Sequence, residues 1–158
     1  MIKRDIITLR RHHFEAVTNH SLPVEHAYKV MKARRAFNAT LMKVEDEIGA
    51  CRKEAGIEGD GLAFDKERAA LGAAESLSRE QEERLAKLNA QFERFAGLRE
   101  KVYEESVILE GVKTMPYEYW HALQRENAEK EVNGRRVDIL SGEVEDILEG
   151  VLWEAPKE

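Results

Sequence analysis

The stretch Ala27–Ala55, AYKVMKARRAFNATLMKVEDEIGACRKEA, decides the fold. Within it Ala27, Val30, Arg34, Phe37, Leu41, Val44, Ile48, Cys51 and Ala55 recur at alternating steps of three and four. That spacing holds one stripe of a helix toward a partner, because a helical turn takes about 3.6 residues. Leu85, Leu88, Phe92, Phe95, Leu98 and Val102 repeat the pattern downstream. Gly56, Gly59 and Gly61 punctuate the chain between the two runs. The pair predicts a mainly α protein: a long antiparallel, coiled-coil-like helical hairpin over residues 21–106 with a variable tip at 56–77. Residues 107–158 then pack as a C-terminal region, and the whole 158-residue chain reads as a single domain.

Local signals set the ends of these helices. Ser21 and Pro23 suit a helix start, since proline's missing N–H would be unpaired in the first turn anyway. Ser78 and Gln81 have the spacing of a capping box, which starts the second long helix at Arg79 and carries it to about Ser106. Upstream, Asp5 can cap a short helix through Thr18 with Ile6, Leu9, Phe14 and Val17 inward. Residues 62–76 fit either a short helix or an irregular tip. The β-branched run 107–113 fits one small strand, and Asn133-Gly134 fits a helix end or a two-residue hairpin turn. Tyr117 to Trp120 opens another helix, and residues 142–155 form a last one with Val144, Ile147, Leu148, Val151 and Leu152 on one face.

Charge is plentiful and uneven. Charged residues are 35% of the chain and aromatic ones 7%, a balance suited to an elongated helical protein with much surface. Residues 1–35 hold eight basic and three acidic side chains, a net +5, so the remainder carries −11 of the total −6. Apolar runs fall short of the roughly 18 residues that span a bilayer, and no apolar segment follows Lys3-Arg4 as in a signal peptide, so synthesis in the cytoplasm of a cell is expected and a membrane is not. Cys51 stands alone and reads as a small buried hydrophobe.

Catalytic signatures are missing from the pattern. His12, His13, His20 and His26 cluster near the N-terminus, but they lack the i, i+4 spacing of a helical metal site, so no metal and no cofactor is expected. The Gly56–Gly61 loop lacks the acidic ladder of a calcium loop and the Gly-Lys-Ser/Thr ending of a phosphate loop. The readings that remain are of contact. Arg34 interrupts the first apolar stripe, where it either snorkels outward or pairs across a seam. Together with Arg35 it is a candidate binding residue, as are Tyr117, Tyr119 and Trp120, which bury large area at small entropic cost. Nucleic acid is disfavoured as a partner by the acidic total and the sparse aromatics around Arg34.

The order of these segments is similar to that of an uncharacterised family of small helical-hairpin proteins of long-tailed bacteriophages and prophages. The likeness lies in Leu22-Pro23, Ala27-Tyr28-Lys29, the spacing Phe92, Phe95, Leu98, and Glu104 to Leu109, over about residues 6–125. It implies a phage protein without catalytic residues, working in a bacterial host cytoplasm or in the virion and its assembly. Its expected partner is a second copy of itself or another phage or host protein. Inhibition of a host defence factor, through a host protein or an anionic small ligand, is the alternative.

Overall fold

The computed structural model describes residues 1–11, 24–110, 112, 114, 116–118, 131–132, 135–136 and 146–154, with side chains for all of these except 11, 24–26, 131–132 and 135–136. The protein is mainly α. In chain order it has α1 (Lys3–Arg11), α2 (Val24–Glu54), α3 (Leu62–Gly72), α4 (Arg79–Glu104), β1 (Glu131–Val132) and β2 (Arg135–Arg136). The 31 residues of α2 make a rod of about 46 Å at 1.5 Å per residue. A long hairpin of α2 and α4 preceded by a short N-terminal helix is therefore present, as the spacing predicts.

Two compact units divide the chain: Met1–Leu41 with Ser106–Glu158, and Met42–Glu105. The apolar stripe of α2 serves both. In the first unit Val30, Ala33 and Phe37 join Ile6 and Leu9 of α1 and Leu109, Leu148, Leu152 and Trp153 in one buried cluster. In the second, Ile48, Cys51 and Ala55 pack with Ile57, Phe64 and Phe95, while Val44 and Leu88 are also buried. The stripe runs through Ala33 and leaves Arg34 half-buried beside it.

Several ends are set by local chemistry. In α1, Asp5 lies inside the first turn, where its carboxylate accepts from the Ile2 N–H at 2.7 Å. It closes the helix start from the third helical position, and the expected cap at Asp5 moves back to Ile2. The end expected at Thr18 and the signals at Ser21 and Pro23 lie outside the described residues. At the end of α2, Gly56 takes φ +77°, its N–H donates to the Lys53 carbonyl, and the Ile57 N–H donates to the Arg52 carbonyl. This is a Schellman closure, completed by burial of Ile57. Ser78 and Gln81 form the capping box in full: Ser78 Oγ accepts from the Gln81 N–H, and Gln81 Oε1 accepts from the Ser78 N–H.

Elsewhere the structure departs from the pattern. Residues 107–110 form no strand; pairing there reduces to an isolated bridge between Ile2 and Ser106 and a bond from the Val107 N–H to the Met1 carbonyl. A β-branched run makes a strand only where an edge is offered, and here the offered edge is two residues long. The small β element lies instead at Glu131–Val132 against Arg135–Arg136, antiparallel, flanking residues 133–134. Near the C-terminus residues 146–148 are helical, but Gly150 at φ +76° turns the chain and its N–H donates to the Trp153 carbonyl. Leu148, Leu152 and Trp153 are buried all the same, because the turn returns to the core the residues that a helix would have placed there.

Candidate functional site

The most elaborate side-chain chemistry among the described residues sits at the tip of the hairpin, inside Met42–Glu105. Phe92, Phe95, Arg99 and Tyr103 follow one another on α4 at steps of three and four, so they share a face. Opposite them stand Ile48 and Arg52 of α2, then Ile57, Asp60 and Gly61 of the connecting loop, then Phe64 and Asp65 of α3. Together they line a cleft of about 280 Å³. That is close to the lower limit of small-molecule sites, about 300 Å³.

Arginines stacked on rings furnish the cleft. Arg52 Cζ lies 5.6 Å from the centre of the Phe95 ring, and Arg99 Cζ lies 5.4 Å from Phe95 and 5.5 Å from Tyr103. Arg68, which does not line the cleft, has its Cζ 3.9 Å from the centre of the Phe92 ring. The ring face attracts the cation and leaves the guanidinium edge free to donate in its own plane. Nε of both Arg68 and Arg99 is buried with no hydrogen-bond acceptor among the described residues, and both guanidinium groups lie against rings. Arg52 is also set by Gly61 at φ +83°: a Cβ on that residue would meet Arg52 Nε at 3.2 Å. The same loop residue permits the turn and leaves room for the arginine.

Other arginines of the same hairpin have carboxylate partners. Arg84 holds Glu67 by two bonds of 2.7 and 2.8 Å, fastening α3 to α4. This contact keeps the Glu67 carboxyl below its ordinary range and raises Arg84. Arg79 meets Glu83 at 3.2 Å and Arg94 meets Glu54 at 3.5 Å. Asp60 Oδ1 accepts from the Leu62 N–H at 2.9 Å and so starts α3, whose preceding residue Gly61 has no side chain to do it. Cys51 is half-buried against the apolar cluster, and burial, helped by the nearby Glu54, pushes its thiol up.

The residues singled out in the sequence lie in the other unit. Arg34 is half-buried and Arg35 exposed on α2, and neither forms an ion pair with another described residue. Beside them Tyr28 and Met31 are exposed, and Lys32 Nζ sits 5.0 Å over the Tyr28 ring. Tyr117 packs at the edge of the buried cluster, which makes it part of the core's rim. Tyr119 and Trp120 lie outside the described residues, as do His12, His13, His20 and His121 and the His26 side chain. Among the described residues no three His, Cys, Asp or Glu converge as a metal site, and no helix is long and apolar enough to cross a membrane.

Arg52, Arg99 and Arg68 escaped the sequence reading because an arginine beside an apolar stripe reads as a solvated flank. The available signal was the run Phe92, Phe95, Arg99, Tyr103, a basic residue set among rings on one helical face. The fold and the cleft together define a helical-hairpin protein with an arginine–aromatic recess at its tip. No family model, no curated protein and no solved structure matches the chain.

Proposed function

We propose that the protein is a non-enzymatic interaction protein of phage type, whose helices meet a second copy of the chain or another phage or host protein. The observation that carries this reading is the outer face of α2 in the first unit. Tyr28 is 54% exposed and Met31 37% exposed, and Arg35 is exposed beside them. Tyrosine, methionine and arginine are the residues that contact surfaces concentrate, since they bury much area per side chain. They lie on a helix whose opposite face is already committed to the core, so a partner can use them without unfolding anything.

Homo-oligomerisation through this face is the form of the proposal that a measurement reaches first. Light scattering at low and high salt is expected to give a mass above that of one 18.1 kDa chain. Reversal of Arg34 and Arg35 to glutamate, or Tyr28→Ser with Met31→Ser, is expected to lower that mass. A monomer at every salt, or an oligomer indifferent to both double substitutions, overturns the self-association. The arginine–aromatic cleft favours a second reading, a host-directed inhibitor that takes up an anionic small ligand.

A further inference from the structure

The two sets of arginines on the hairpin differ in a way that asks for an explanation. Arg79, Arg84 and Arg94 each have a glutamate partner within 3.5 Å. Among the described residues Arg52 has a ring and no carboxylate partner, and Arg99 has two rings and only a long contact of 3.8 Å to its neighbour Glu100. Outside its first 35 residues this chain is strongly acidic, so carboxylates are not scarce. Guanidinium groups held by rings, with no short carboxylate bond among the described residues, form a prepared donor set for a planar or tetrahedral oxyanion.

The rest of the cleft restricts which oxyanion. Phe64, Phe92 and Phe95 line it with aromatic surface, which stacks on a flat ring. Asp60 and Asp65 line it as well, and carboxylates repel a bare anion but accept hydrogen bonds from hydroxyl and amino groups. Inorganic phosphate would use the arginines alone. A nucleoside would use the rings and the carboxylates alone. We propose that this cleft binds a nucleoside monophosphate, with the phosphate on Arg52 and Arg99, the base against the phenyl groups, and Asp60 and Asp65 accepting from sugar hydroxyls or the base's amino group. The inference rests on the second of the two readings above, ligand capture, and is independent of the oligomer.

Calorimetric titration of the full chain with AMP, GMP, CMP and UMP tests it, alongside inorganic phosphate and adenosine. At least one nucleotide is expected to bind with Kd of about 1 mM or tighter, the level of about −4 kcal/mol. Phosphate and adenosine are each expected to bind at least tenfold more weakly. Arg52→Gln and Arg99→Gln are each expected to weaken the nucleotide tenfold or more with helical circular dichroism unchanged, while Arg79→Gln, at the exposed start of α4, leaves it unaltered. Should a glutamine variant lose helicity, Arg52→Lys keeps the charge without the planar fork and is expected to weaken binding several-fold. Silence from all four nucleotides, phosphate and adenosine overturns the site. So does phosphate binding as tightly as a nucleotide, or affinity that survives every change at Arg52 and Arg99. If adenosine or phosphate binds while the nucleotides do not, ligand capture stands and the nucleotide assignment falls.

Discussion

The two units are held together by different chemistry, although α2 contributes to both. In the unit of Met1–Leu41 and Ser106–Glu158 the described residues bury a large apolar cluster, Ile6, Leu9, Phe37, Leu148, Leu152 and Trp153 among others, nearly all within 3% of full burial. In Met42–Glu105 the buried cluster is Ala55, Ile57 and Phe95, and much of the remaining contact is arginine against ring or arginine against glutamate. α3 buries no residue at all. The first unit gains stability in proportion to area removed from water. The second trades part of that for oriented polar groups, each worth less, of which the ion pairs respond to pH and salt. A hairpin that needed only rigidity would fill its tip with leucine; this one places arginines there.

Truncation separates the two most sharply. Phe37→Ala removes a ring at 2% exposure from the buried cluster of the first unit and is expected to cost about 3–5 kcal/mol, read as a lowered urea midpoint. Phe95→Ala is expected to fall at the bottom of that range, since Phe95 is 9% exposed and the guanidinium groups over it can return to water. Equal costs would erase the contrast. A smaller effect is expected of Ser78→Ala, which removes one half of the capping box; about 1 kcal/mol is the usual loss. Hydrogen exchange should show the change in the first turn of α4. The smallest effect belongs to Glu67. Its carboxyl is lowered in the folded protein, so the Glu67–Arg84 clasp contributes fully above the ordinary glutamate range and fades as pH falls through the lowered value. Glu67→Gln should flatten that part of the acid stability profile, and an unaltered profile would mean that the clasp adds nothing.

Much of the fold was legible because its signals are local. The capping box at Ser78, the glycine closure at Gly56 and the spacing of Leu88 and Phe95 are all decided within a turn or two of chain. Legibility failed where a partner far along the chain chooses. The exchange of Ala33 for Arg34 in the stripe depends on what faces α2, and the missing strand at 107–110 depends on how little edge Met1 and Ile2 offer. Gly150 turns a chain whose apolar spacing fits a helix equally well, because both routes bury Leu148 and Leu152. The cleft was least visible of all. Arg52, Phe64 and Arg99 lie 12 and 35 residues apart, and only the hairpin's fold brings them to one recess.

The way α2 is divided also bears on the protein's birth at the ribosome. Met42–Glu105 is one uninterrupted stretch, so everything its hairpin needs has been translated by residue 105. The core around Ile6 and Leu9 must wait for Leu148, Leu152 and Trp153, more than 130 residues later. Local contacts close early and distant ones late. The N-terminal half of α2 therefore emerges with Val30, Ala33 and Phe37 uncovered and stays so through most of synthesis. A nascent chain stalled at about residue 145 should already resist protease within Met42–Glu105 while residues 1–41 are cut.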